Sequence, residues 1–547
     1  MNRVVSERGR WLAFALLIGC GERGAPPAPV AAAPSTSPSN ASASASVSAG
    51  ASASAAPSGS AVSAAASTSA SAAPSGGPFL GTTQLIGWFR DRPSPDAPLA
   101  GYVRVGGRAA YVDAPVTGSG CAGKWLRMAA GGFACEGYSG ITRDLSRKAI
   151  RLAGEFPAKT DDPFPFGVGT TSGSPLYARI PTAKEQRAAE PDLDAHLAAW
   201  AKARAATPPE KLPPESARPI AAIPELLAAH APSPLLGGSE LHGLLASTAW
   251  SGMRLSLLSA FRVEDEGTSR LFYLTSEHYL VPADRVRAAR LADFHGVDLG
   301  APGAAGEHLP IAWVRWKPAR RYREVGGRMA AVEGDPGLPL QAHVELGEGA
   351  KVRDGVTFFP VKNGSSEVTD WVSSNEVTKV DARPRPKEVA ADEAWIDVSI
   401  AAQSLVLYRG DTPVFATLIS SGVDVGGDPE TTRATPTGFF HIASKHISYR
   451  MAAEEHAPWK DGDKPDPRYR IDDVPYVQYF QNGYALHAAY WHDSFGQPKS
   501  HGCINLSPRD ALYLFDKTEP KLPEGWHGVY GGRAGQHVGT VLVVRKF

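Results

Sequence analysis

Beyond residue 79 the apolar positions fall in short runs that often alternate with polar ones and are broken by Gly, Pro and Asp. This is the pattern of half-buried strands joined by turns. Gln84–Phe89, Gly101–Val105 and Ala109–Val112, then Lys124–Met128 and Gly132–Cys135, predict a small β unit over residues 79–140. Thr182–Ala206 places Leu193, Leu197 and Trp200 at i, i+4 and i+7, which predicts a helix, and a Pro-rich break follows at 208–219. Strand patterns return at Leu255–Leu258, Arg270–Leu274 and Ile311–Trp316. Residues 141–390 thus read as a mixed region with small β modules, their aromatic residues filling small cores. The stretch 393–547 is the most coherent. Trp395–Ile400 alternates, and Leu405–Tyr408 and Val414–Ile419 flank Arg409-Gly410-Asp411-Thr412, a hairpin signal. Ser507 as N-cap and Pro508 in the first turn open a helix that continues over Ala511–Lys517, and Gly539–Val544 reads as a buried strand. The expected fold class is mainly β and multidomain.

The first 78 residues follow another pattern. Trp11–Ile18 is apolar but shorter than the roughly 20 residues a bilayer-crossing helix needs, and Arg3, Arg8 and Arg10 precede it. Residues 1–20 therefore read as a signal peptide. The run ends Leu17-Ile18-Gly19-Cys20, which resembles a bacterial lipobox. That resemblance implies that Cys20 becomes the first mature residue and carries a lipid, the only membrane anchor of an exported chain facing the periplasm or cell wall. Residues 21–78 are almost wholly Ala, Ser, Pro, Gly and Thr. Such a segment lacks the apolar surface to offset its ordering entropy and reads as a disordered tether, spanning about 40 Å as a flexible coil.

The chain's 547 residues exceed what one core serves, which predicts several folded units. Its 56 basic and 56 acidic side chains balance to zero net charge, giving no reason to expect a nucleic-acid partner. No phosphate-binding Gly loop and no metal-ligand spacing stands out in 141–390, and no cofactor is called for. Of the four cysteines, Cys121 and Cys135 form a close pair. In an exported chain they are expected to bridge, closing a loop worth about 3 kcal/mol. Cys503 is left over.

Cys503 lies in Ser500-His501-Gly502-Cys503-Ile504-Asn505, after Tyr484-Ala485-Leu486-His487-Ala488. A free thiol is only a few per cent ionised at neutral pH, and a neighbouring imidazolium can lower its pKa enough to make it nucleophilic. Both His487 and His501 qualify by spacing. Gly502 allows close backbone approach, so nearby N–H groups could hold an oxyanion. His487, His492, His501 and Cys503 are also residue types that bind zinc, although their spacing fits no zinc pattern.

His487, then Ser500-His501-Gly502-Cys503 with Asn505, resembles the signature of the L,D-transpeptidase (YkuD-type) catalytic domain. Ser420-Ser421-Gly422 and Thr435-Pro436-Thr437-Gly438-Phe439-Phe440 resemble two further segments of that family, in the same order. The likeness covers about 150 residues, and only Ala488, where many relatives have Gly, departs from it. It implies a β-sandwich with short helices, Cys503 as nucleophile and His487 as proton acceptor and donor. It further implies that the Ala488 carbonyl orients the imidazole and that Ser500, His501, Gly502 and Asn505 support substrate and oxyanion. The implied partners are peptidoglycan stem peptides, with carbapenems as covalent inhibitors and an amine or water as acceptor. The rival expectation is a non-enzymatic wall-binding lipoprotein with a degenerate catalytic domain. The unit at 79–140 resembles a bacterial SH3-like barrel.

Overall fold

Between residues 79 and 142 the short runs pair as antiparallel neighbours. In the computed structural model, which describes residues 77–207, 218–236, 244–300, 306–362, 370–452, 470–532 and 538–547, Phe79–Thr82 pairs with both Ala109–Val112 and Ile141–Thr142. Ile86–Arg90 pairs with Leu99–Arg104, and Trp125–Met128 with Phe133–Cys135. Cys121 and Cys135 are joined by a disulfide. The unit does not close on itself. Its core of Leu80, Phe89, Val103 and Met128 also takes in Trp526 and Val529, from the far end of the chain. Leu99–Arg104 continues the sheet by pairing Gly101 with Val529. The signal peptide, Cys20 and most of the tether lie outside the described residues, as does most of the Pro-rich break. Among the described residues no helix is long and apolar enough to cross a membrane.

The middle region is built on a long hairpin. β1 (Gly167–Tyr177) pairs antiparallel with β2 (Leu245–Asp265), which turns into β3 (Thr268–Thr275) with Asp265 opposite Thr268. The helix expected over Thr182–Ala206 is two: α1 (Ala183–Ala189) and α2 (Leu193–Ala206). Pro191 has no N–H to continue the ladder, and the chain breaks there. The break places Glu190, 3% exposed, beneath the sheet. There it accepts hydrogen bonds from Arg270 at 2.7 Å and from the Tyr177 hydroxyl at 2.8 Å. The run expected at Ile311–Trp316 also ends early. β4 (Ile311–Val314) lies between His343–Glu345 and Val377–Val380, Arg315 is 5% exposed, and Trp316 is turned out to solvent at 56%.

The C-terminal stretch forms a sandwich. In one sheet β5 (Ala394–Ser399), β6 (Ser404–Arg409) and β7 (Thr412–Leu418) run antiparallel in the expected hairpin register. A second sheet contains β8 (Ser444–Ala452), β9 (Arg470–Gln481), β10 (Tyr484–Ala488) and β11 (Ile504–Leu506). α3 (Pro508–Lys517) packs between the layers, capped by Ser507, whose side chain accepts the Asp510 N–H. β12 (Gly528–Tyr530) joins the second sheet, and β13 (Val541–Arg545) lies parallel to β5 in the first. The core between them takes Ile396, Leu405 and Phe415 from one layer, Leu486 and Ile504 from the other, and Leu514 from the helix. Both upstream regions feed the second sheet. Arg254 of β2 pairs with Ile471 at the start of β9, and Arg104 is bonded to Asp473 at 2.6 Å.

Candidate active site

β10 and β11 are parallel neighbours, which sets the geometry. Leu486 faces Ile504, His487 faces Asn505 and Ala488 faces Leu506. Cys503 comes two positions before Asn505. It immediately precedes β11, so the ladder brings it to the strand beside the one that carries His487. Residues sixteen apart in sequence are adjacent because the strands run side by side. The loop between them, 489–503, returns along the edge of the first sheet.

His487 is 3% exposed, and its Nδ1 lies 2.9 Å from the Ala488 carbonyl. A ring nitrogen facing a carbonyl must carry the proton, so Nε2 is left as the acceptor. The Trp491 ring lies 5.8 Å from that of His487, and the Arg254 guanidinium lies 5.2 Å over Trp491. The Cys503 sulfur is half-buried, 3.9 Å from the Gly483 carbonyl. Burial pushes its thiol up to about 11, with the Ala485 N–H drawing slightly the other way.

The Ser-His-Gly-Cys turn is tied off internally. Ser500 Oγ donates to the Cys503 carbonyl at 2.5 Å and accepts the Gly502 N–H at 3.0 Å. Gly502 has φ +125°, and a Cβ there would sit 2.4 Å from Cε1 of Tyr484. Tyr484 in turn donates to the Pro429 carbonyl at 2.8 Å. The Asn505 side-chain amide lies 3.0 Å from His492 Nε2. Burial, with Lys499, His487 and Arg254 nearby, holds His492 down to about 4, a neutral ring. His501 is turned to solvent. Among the described residues no three His, Cys, Asp or Glu side chains converge as a metal site.

The two upstream motifs meet the same turn. Ser420 exchanges both backbone hydrogen bonds with Asn505, at 2.9 Å each, and the Ser421 carbonyl accepts the Ser500 N–H. The Gly422 N–H donates to Thr435 Oγ1 at 2.9 Å. A Cβ at Gly422 would meet the Arg433 carbonyl at 1.9 Å, so this strand end must be glycine. Sequence reasoning missed Trp491, Tyr484 and Arg254. None has a spacing that marks it, and Arg254 comes from a region with no legible chemistry.

Residues 393–544 match the family model described as the L,D-transpeptidase catalytic domain, YkuD. The chain carries a YkuD-type L,D-transpeptidase catalytic domain. A putative L,D-transpeptidase, YciB, of Bacillus subtilis (strain 168) is 26% identical over 135 residues, covering 24% of this chain. The chain spans 63% of that relative's length. A solved L,D-transpeptidase from Xylanimonas cellulosilytica is 19% identical, over 30% of this chain and 64% of its own, with a TM-score of 0.20. The L,D-transpeptidase LdtMt1, solved in complex with imipenem, is 21% identical, over 35% of this chain and 90% of its own, with a TM-score of 0.21.

Proposed function

We propose that this protein is a peptidoglycan L,D-transpeptidase that works through a thioester on Cys503. The observation that carries the reading is the β10–β11 ladder, which sets His487, its Nδ1 proton anchored on the Ala488 carbonyl, beside the strand that Cys503 leads into. Cys503 attacks the carbonyl of the third residue of a stem peptide, typically meso-diaminopimelate, at its bond to D-Ala. The thiol proton passes to His487 Nε2 and from there to the departing amine. D-Ala leaves and a thioester remains. An acceptor amine then attacks the thioester, gives its proton to His487, and the sulfur leaves as thiolate to take that proton back. Water in place of the amine makes the same site an L,D-carboxypeptidase. Ser500, Gly502 and Asn505 hold the turn that presents the sulfur, and His501, at its exposed end, meets the substrate.

The rest of the chain suits a wall-facing enzyme. The N-terminal segment, with Cys20 in a lipobox-like context, makes it an exported lipoprotein. Carbapenems acylate Cys503, by analogy with the imipenem complex of LdtMt1. Intact mass spectrometry after imipenem treatment tests the reading. One covalent adduct is expected on the native chain and none on Cys503→Ala. His487→Ala is expected to slow acylation by roughly 10²–10⁴-fold, the usual share of a general base. A native chain that takes no adduct, and releases no D-Ala from defined tetrapeptide muropeptides, refutes the assignment. Products from those muropeptides with and without an added amine distinguish transfer from hydrolysis.

A further inference from the structure

The 489–503 loop carries Trp491 against the base and His492 against Asn505, yet much of what holds it comes from another part of the chain. Arg315, just after β4, is 5% exposed, and among the described residues its hydrogen bonds go to neutral acceptors. Its guanidinium donates from Nε to the Gly496 carbonyl at 2.7 Å, and from Nη1 to the Ala401 carbonyl at 2.8 Å and to Thr378 Oγ1 at 3.3 Å. The Gly496 N–H is taken by the Ile419 carbonyl at 2.8 Å, just before the Ser420-Ser421-Gly422 segment. Gly496 sits at φ +96°, and a Cβ there would lie 3.2 Å from Cγ of Arg315, so guanidinium stem and loop backbone are in close approach. From the same module, Gln341 Nε2 donates to the Asp493 carbonyl at 2.6 Å.

We infer that the module around residues 306–380 is a clamp on the active-site loop, and that Arg315 is a positioning residue for the Cys503 reaction. A buried cation satisfied only by neutral acceptors is costly, and a hydrophobic side chain would fill the same space more cheaply. What the guanidinium adds is direction: one rigid fork fixes the loop carbonyl and the β5–β6 turn together. Burial draws its pKa down to about 10, so it stays charged at neutral pH. With the fork removed, the loop loses the bond that fixes Gly496, and Trp491 and His492 are no longer set against His487 and Asn505. This inference rests on the transpeptidase reading for its chemistry, though not for its geometry.

The test uses the full chain with Arg315→Gln, Arg315→Lys and Gln341→Ala. Two quantities are read: the rate of Cys503 acylation by imipenem, and backbone hydrogen exchange in a peptide covering 489–500. Arg315→Gln is expected to slow acylation about tenfold or more and to speed exchange in that peptide, with the exchange of α3 unchanged. Arg315→Lys is expected to recover only part, because one ammonium does not span both carbonyls. Gln341→Ala, at the loop's exposed end, is expected to shift both readouts in the same direction by less, and it carries the test if Arg315→Gln does not fold. Native-like acylation and exchange in the folded variants overturn the clamp, because a side chain that only adds stability leaves both unmoved in folded protein. If the native chain takes no imipenem adduct, the transpeptidase reading falls, and the clamp stands or falls on exchange alone.

Discussion

At the scale of single residues, the site depends on what Gly502 lacks. Its φ of +125° is open to glycine, and the Tyr484 ring fills the space a Cβ would take. Gly502→Ala is therefore expected to push the turn and the sulfur off line and to slow acylation of Cys503 by about 10²-fold, the scale of an ångström-level misplacement. Imipenem kinetics on the folded variant check it. The thiol itself makes a second prediction. With burial pushing it up to about 11, Cys503 is protonated through the neutral range, so its reactivity without a base must climb with pH. In His487→Ala, iodoacetamide labelling of Cys503 is expected to rise about tenfold per pH unit with no plateau below about pH 10. A plateau near neutrality would mean a thiolate already formed. The candidate nucleophile was visible in the sequence because a single cysteine stood in a recognisable context. Its protonation state was not, because desolvation depends on what the fold packs around it.

At the scale of elements, α3 shows where local chemistry suffices. Ser507 and Pro508 announce its start, and the structure begins the helix there with the Ser507 hydroxyl accepting the Asp510 N–H at 3.2 Å. Ser507→Ala is expected to cost about 1 kcal/mol, read as a lower urea midpoint with the slope unchanged. The split at Glu190-Pro191-Asp192 shows the opposite error. The Ala-, Glu- and Lys-rich composition on either side favours helix throughout and masks a proline whose breaking effect is a local rule. What makes that break useful is not local at all: Glu190 is drawn under the sheet to Arg270. The end of β4 at Val314 has the same character. The apolar run continues to Trp316, but the bonds to Gly496 and Ala401 pull Arg315 inward and turn Trp316 out.

At the scale of the whole molecule, the small β unit and the catalytic sheet share a buried polar seam. His446 lies there with the Tyr102 hydroxyl at 3.1 Å and Ser444 Oγ at 3.0 Å, and His527 with Ser448 Oγ at 2.9 Å. Arg104 and Asp473 face the same seam as an ion pair. Burial holds both rings down to about 3 against an ordinary 6.5. The unfolded chain therefore binds more protons than the folded one between those values. Their contribution is complete above about pH 6.5 and is lost as pH falls toward 3. Each ring is expected to remove about 2 kcal/mol by about pH 5. Thermal melts across this range check it: the melting temperature should fall steadily below about pH 6.5, and less so in His446→Gln. A flat profile would mean that these rings are not sealed from solvent.

The sequence alone determined the mainly β class, the β6–β7 hairpin, α3 and the disulfide pair, because alternation, turn residues and caps act over a few neighbours. It also placed Cys503 and His487 in recognisable contexts. Only the tertiary structure decided which backbone carbonyl His487 faces, that packing around the half-buried Cys503 draws its thiol pKa upward, and that Trp491, Arg254 and Arg315 belong to the site's surroundings. Those depend on which distant strands lie side by side, and on how much water the packing leaves around each group.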